Sequence, residues 1–347
     1  MCIRDRSNTI KPTSKDLDNQ RDHTTKTAQT AHHRLVVLAT ELRSVGVERA
    51  SMHRLDPWHG TCNLQFFAGS SGSQHQGGCT APLKLMRAER GENGRCELPL
   101  LHTAGGLVGG DQLSINLTLK RDSRCLITSV AAQKVYGSVG RSKLNPQGAW
   151  AHQNVKANLD AGSDLEWLPQ ELVLYADALF EQNLNITLPL NGSFLSAEIV
   201  RLGRTAANET LGKGRWRSSI ELQRRTPEGR RWELVDRLEI SDEALNGVHG
   251  LNQQPVFGTL VWAAPFPLQT ERINTLLDAV REDRKELEGS MHCGVLPQGL
   301  IARYSGLSSR DARFWFSRIW ARTRQARDLA APQIPRVWPL QEHPLRP

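Results

Sequence analysis

Leu101-His102-Thr103-Ala104-Gly105-Gly106-Leu107-Val108-Gly109-Gly110-Asp111-Gln112-Leu113-Ser114-Ile115-Asn116-Leu117-Thr118-Leu119 sets two glycine pairs around an apolar dipeptide, closes them with a carboxylate, and runs on in strict alternation. Apolar residues at every second position from Leu113 to Leu119 have the period of a half-buried strand. Glycine is needed where φ turns positive or where a second backbone comes close. Gly105, Gly106, Gly109 and Gly110 therefore predict a constrained turn or crossing that presents Asp111 at its exit. A phosphate loop would need Lys-Ser or Lys-Thr after its last glycine, and a dinucleotide turn would need G-x-G-x-x-G. Both open a helix, whereas these glycines feed a strand. The competing reading is a strand-entry turn with a solvated Asp111.

Outward from this stretch, strand signals recur at 113–119, 124–130, 153–159, 184–190, 194–200, 215–223 and 232–240, separated by Gly, Asn and Pro. Leu64-Gln65-Phe66-Phe67 reads as a first strand, and Gly69 to Cys79 reads by composition as a flexible surface loop. Asn191-Gly192 between two apolar runs is a two-residue hairpin signal. No helical period alternates with these strands, which argues against a parallel βαβ sheet. Two helices follow. Thr270 can cap one carrying Ile273, Leu276, Leu277, Val280 and Leu287, with Gly289 past its end. Ser308 and Asp311 open a second, whose face of Ala312, Trp315, Phe316 and Ile319 is expected in the core. Its arginines, Arg310, Arg313, Arg318, Arg322, Arg324 and Arg327, are expected to form a solvated face or a partner patch. The resulting organisation is a polar, disordered extension over 1–51, one β-rich domain over 52–330 with its helical part at about 268–330, and a Pro-rich tail over 331–347.

With 39% hydrophobic residues in 347, the chain has material for a sizeable core. It contains no apolar run long enough to cross a membrane and no secretory h-region, so cytoplasmic residence is expected. The six cysteines lack C-x-x-C spacing and read as free thiols. The formal charge of +8 is uneven: residues 57–302 carry −1, and the excess sits at the two ends. That is a poor match to a nucleic-acid groove across the main domain.

Polar functional groups meet backbone constraint in four places: Asp111 behind its glycines; Thr128-Ser129 leading into Ala131-Ala132-Gln133-Lys134-Val135-Tyr136; Glu166 and Glu171 in Leu165-Glu166-Trp167-Leu168-Pro169-Gln170-Glu171; and Glu209 after Gly203-Arg204. A carboxylate in an apolar segment is solvated, paired or shifted in pKa, so each glutamate is either ion-paired with Arg or a site residue. Glu166 and Glu171 could be the acid and base of a β-rich glycoside hydrolase. Such clefts carry aromatic platforms, however, and the chain has only 3 Tyr. Alternatively, dispersed carboxylates and hydroxyls could line a polar passage for a hard or borderline cation. With no H-E-x-x-H, no EF-hand and no His pair at i, i+4, a transient route fits better than a storage site.

In this order, Pro82-Leu83-Lys84, Leu101-His102 with Gly105 to Asp111, Ala131 to Tyr136, Leu165 to Glu171, and Gly203-Arg204 with Glu209 resemble the urease accessory protein UreD (UreH) family, from Trp58 to about Pro265. The resemblance implies a mainly β fold of helically layered antiparallel and mixed sheets, with two helices near the C-terminus. It implies a non-enzymatic urease maturation factor that joins UreF and the GTPase UreG on the urease apoprotein and assists nickel insertion, with a homodimer within the complex admitted. It implies no tightly bound cofactor, only transient Ni²⁺ passing through an internal conduit, with Asp111, Thr128, Ser129, Glu166, Glu171 and Glu209 as candidate lining and no stable metal site. No nucleic-acid or membrane partner is implied. The chain departs from the family's pattern at Thr128-Ser129-Val130, where Thr-Thr-Pro is common, and at Asn208, where Gly is common. A generic β-rich interaction protein without nickel function is the remaining alternative.

Overall fold

The computed structural model describes residues 56–341; the extension expected over 1–51 lies outside them. From Pro57 the chain forms one compact unit. Two sheets face each other among the described residues. The first has seven strands, in the order β15 (Gly229–Ser241), β14 (Arg215–Thr226), β12 (Leu179–Leu188), β9 (Ala151–Leu159), β6 (Gln112–Leu119), β1 (His59–Gly69) and β2 (Gly72–Cys79). The second runs β17 (Ser290–Leu296), β18 (Gly299–Gly306), β16 (Val256–Ala263), β13 (Ser193–Leu202), β10 (Asp164–Leu168), β7 (Arg124–Ser129), β5 (Cys96–His102) and β3 (Leu83–Leu85), with β4 (Glu89–Arg90), β8 (Gln133–Val135) and β11 (Leu172–Leu174) attached.

The chain alternates between the sheets: β6, β9, β12 and β14 pair in parallel in one, and β5, β7, β10 and β13 pair in parallel in the other. This agrees with the expectation against a βαβ sheet, although the strands themselves pair in parallel. The crossover that a parallel pair requires is supplied by a strand of the opposite sheet, so no helix is needed. Antiparallel strands finish the edges, at β1–β2, β14–β15 and β13–β16–β18–β17, giving mixed sheets of the expected mainly β class.

Two expectations are corrected. Gly69 to Cys79 is not a loop. All of β2 is zipped to β1, from Cys62 opposite Cys79 to Gly69 opposite Gly72, because pairing decides strand formation where composition is weak. Asn191-Gly192 closes no hairpin, since β12 and β13 lie in different sheets and neither residue has the positive φ of a type I′ turn. The turn is instead gathered around the buried Arg224, whose guanidinium donates to the carbonyls of Pro189 (2.8 Å), Leu190 (2.9 Å) and Gly192 (3.1 Å).

The inner faces of the two sheets build one core, including Ile115, Val155, Phe180, Phe194 and Ile220. The outer face of the second sheet carries another, in which Leu195, Ala197, Ile199 and Trp262 meet α2 (Thr270–Glu282) and α3 (Ser309–Gln325); a short helix, α1 (Asp242–Asn246), follows β15. Helix α3 begins as expected, with the Ser308 hydroxyl accepting from Asp311 N–H at 3.1 Å. Helix α2 has Gln269 rather than Thr270 at its N-cap position, with no side-chain cap, and stops at Glu282, so Leu287 reaches the core from a following turn. No described helix is long and apolar enough to cross a membrane.

The arginine face of α3 is also corrected. Arg313 and Arg324 are buried, Arg327 pairs with Asp164 at 2.7 Å, and Arg322 holds Asp283. A further layer covers that face: the tail folds back across α3, with Trp338 buried against Trp320 and beneath the Arg313 guanidinium, 4.6 Å from its ring.

Candidate functional site

A cavity of about 90 Å³ lies between the facing sheets. At about 10–15 Å³ of such space per water it has room for several. Its walls are mostly the apolar inner faces, interrupted by polar side chains at two ends. At one end stand His102, Ser129, Gln133 and Gln170; at the other, Gln182, Glu198 and Ser218. Strand alternation puts them there. Ser129 shares a face with Ile127 on β7, and Glu198 shares a face with Phe194 and Ser196 on β13.

The Glu198 end forms a relay in which Gln182 Nε2 donates to Ser218 Oγ at 3.4 Å, and Ser218 Oγ donates to Glu198 Oε2 at 3.3 Å. Burial pushes the Glu198 carboxyl up to about 7, against the Ser218 hydrogen bond and the Arg303 charge, with Asp236 adding to the rise. Asn183, Ser218 and Ser219 also line an outer cleft of about 430 Å³ edged by Glu181, Glu221 and Glu239. At the opposite end His102 has no hydrogen-bond partner on either buried ring nitrogen. Burial holds its imidazole below the ordinary range, with the Asp111 carboxylate pulling the other way. Thr128, which lines the cavity, also lines a smaller space of about 30 Å³ beside Glu97 and the tail residues Pro335 to Val337.

Of the residues singled out from sequence, the structure brings only Thr128 and Ser129 to this cavity. Asp111 is 7% exposed and clamps its own loop: Oδ1 accepts from Trp58 N–H at 3.0 Å and Oδ2 from Val108 N–H at 2.9 Å. Gly106 and Gly110 take the positive φ this bend requires, +156° and +102°. Glu166, 1% exposed, is held between Arg95 and Arg324 and accepts from Trp320 Nε1 at 2.8 Å. Glu171 pairs with Arg313 at 3.2 Å. Glu209 is gripped by Arg204 and accepts from Ala176 N–H at 2.7 Å, and the Arg204 hydrogen bond holds its carboxyl below the usual range. Gly203, at φ +84°, lets the backbone of Glu209 come close.

Glu198, Gln182 and His102 are the cavity residues that motif reasoning missed. The available signal was a glutamate in phase with Phe194 and Ser196 on an inward strand face. Among the described residues, no three His, Cys, Asp or Glu side chains converge to hold a metal ion.

Fold and site together define a two-sheet β scaffold backed by helices, with an internal, mostly apolar chamber that a few polar side chains enter. They do not offer the free Glu166/Glu171 pair that a glycoside hydrolase would need, because each glutamate is already committed to arginine. The model of the UreD urease accessory protein family matches residues 59–339. The urease accessory protein UreD of Synechococcus sp. (strain CC9311) is 84% identical over 296 residues, covering 85% of this chain and 100% of that protein. Those of Synechococcus sp. (strain WH7805) and Prochlorococcus marinus (strain MIT 9303) are 68% and 59% identical over 304 and 293 residues, covering 85% and 82% of this chain and 95% and 98% of theirs. The chain belongs to the UreD family of urease accessory proteins.

Proposed function

We propose that the protein assists urease maturation by giving Ni²⁺ a route through the inter-sheet cavity toward the urease apoprotein, in a cytoplasmic complex with UreF and UreG. The nickel is cargo, and no cofactor stays bound. The observation that carries this reading is adjacency: the outer cleft shares Asn183, Ser218 and Ser219 with the cavity, so these side chains stand between the two.

Transit favours weak, successive donors, since a closed cage would trap the ion. Hydroxyls and amides along the cavity, with Glu198 at one end, meet that need. Asp111, Glu166, Glu171 and Glu209, already satisfied by backbone or arginine, would instead hold the walls in shape. A homodimer within the complex is compatible with this route.

The test is co-expression of urease with Ser218→Phe, which fills the junction of cleft and cavity, and with Glu198→Ala. The reading expects folded variants that still co-purify with the urease apoprotein yet leave it poor in nickel. Full nickel content with both would overturn it.

A further inference from the structure

Cys62 on β1 stands directly opposite Cys79 on β2, in an antiparallel register that runs on to Gly69 opposite Gly72. Antiparallel rungs alternate between hydrogen-bonded and non-hydrogen-bonded pairs. The cysteines occupy the second kind, because on the adjacent rung Thr80 N–H donates to Thr61 O at 2.8 Å. Such a rung holds its Cα atoms about 4.5 Å apart with both side chains on one face, inside the window of about 4.4–6.8 Å that a disulfide can span. Both residues are free thiols here, and they already meet: the Cys62 thiol donates to the Cys79 sulfur. Their surroundings differ. Cys62 is buried in the core between the sheets, whereas Cys79 is half-buried at the end of a strand that forms the edge of its sheet.

We infer that Cys62 and Cys79 are a redox pair, which glutathione disulfide converts to a cross-strand disulfide that fastens the edge strand β2 to β1. The inference stands apart from the nickel route. Cys79 is the reachable sulfur, and the Cys62 hydrogen bond holds its thiol below the ordinary range, which favours the nucleophilic thiolate. The thiolate attacks one sulfur of glutathione disulfide, forming a mixed disulfide and releasing one glutathione thiolate. Cys62 then gives up its proton and its sulfur attacks Cys79 Sγ, releasing the second. Two protein thiols are thereby oxidised, and one glutathione disulfide is reduced to two glutathiones. In a reducing compartment the pair rests as thiols. The bond changes how β2 is held: with three glycines among its eight residues the strand has little propensity of its own, and the turn from Gly69 to Gly72 anchors one end only. A bond at Cys79 anchors the other. Cys96 and Cys125 are also register partners, on β5 and β7, but both are buried beyond the reach of an oxidant and serve as an internal control.

The experiment treats the reduced full-length protein with glutathione disulfide, quenches with acid, blocks the remaining thiols in denaturant and maps tryptic peptides by mass. Cleavage after Arg54 and Lys84 yields one peptide, 55–84, that contains both cysteines and no other. The bond therefore reads as a loss of two hydrogens from that peptide. This loss, reversed by dithiothreitol, is expected while the Cys96 and Cys125 peptides stay fully blocked. In Cys62→Ala the reaction should stop at the glutathione adduct of Cys79; if that variant does not fold, the wild-type map decides alone. Hydrogen exchange over 72–79 should slow by about tenfold in the oxidised protein. A wild-type peptide 55–84 that takes up glutathione but never loses two hydrogens would overturn the inference. Oxidation of Cys96 and Cys125 at the same rate would overturn it too, by tracing the reaction to unfolded chains, and unchanged exchange over 72–79 would overturn the fastening of β2.

Discussion

Ser218 Oγ on β14 donates to Glu198 Oε2 on β13 at 3.3 Å, a side-chain hydrogen bond between the two facing sheets. It does not hold the carboxyl in its ordinary range, because burial outweighs it and places the value at about 7 against a reference of 4.5. Below about pH 4.5 the group is protonated in both folded and unfolded chains, and stability is unaffected. Between about 4.5 and 7 the unfolded chain ionises first, so it binds fewer protons and folded stability falls as pH rises. Above about 7 the loss is complete, on the order of 3 kcal/mol. Glu198→Gln should remove this slope. Urea unfolding at about pH 4.5, 6 and 8 checks it, and a variant whose stability keeps the wild-type slope across that window would contradict the assignment.

Glu166 should matter to the fold rather than to transit. Its two oxygens serve Arg95, Arg324 and the Trp320 indole, tying β10 to the residue just before β5 and to α3. Removing one member of a buried ion network strands the others, at about 3–5 kcal/mol. Glu166→Ala is expected to lower the urea midpoint by that amount. An equally stable variant would show that the arginines find other partners.

Asp111 yields a smaller, graded effect. Asp111→Ala deprives the Trp58 and Val108 N–H groups of their acceptors, at about 2 kcal/mol in total, and Asp111→Asn keeps one oxygen and should cost about half as much. Thermal unfolding of the pair measures this. Nickel loading should follow the folded fraction of each variant, since Asp111 does not line the cavity; a loading defect in fully folded Asp111→Asn would give the carboxylate a direct part in transit.

These contrasts mark where sequence was legible. Period-2 alternation from Leu113 to Leu119 and the Ser308–Asp311 helix start depend on neighbours within a few residues, so they could be read locally. Pairing direction could not: a half-buried strand looks the same beside a parallel or an antiparallel neighbour, and the parallel crossovers went unseen. Asn191-Gly192 misled for a related reason, because a buried arginine thirty residues away organises that turn. The arginines of α3 were assigned to solvent or to a partner because the helix pattern separates faces without revealing that Glu166, Glu171 and the tail lie against the second one. Asp111 was found because glycines frame it, and Glu198 was passed over because only its strand phase distinguishes it.

The tail supplies the last prediction. Trp338 Nε1 donates to Thr128 Oγ1 at 2.7 Å, and Thr128 Oγ1 donates onward to Leu168 O at 2.6 Å. Gln170 Nε2 donates to Val337 O at 3.0 Å. The tail thus covers the outer face of β7 at Thr128 and reaches the cavity-lining Gln170, with one aromatic anchor and few other ties. Trp338→Phe keeps most of the packing and loses one hydrogen bond, about 1 kcal/mol, whereas Trp338→Ala also empties the site between Trp320 and Arg313, about 3–5 kcal/mol. Hydrogen exchange should then rise in Thr128 to Val130 and in the tail before it rises in β9 or β12. Uniform acceleration across both sheets would mean that the tail is part of the global folding unit, and that β7 has no separate cover at Thr128.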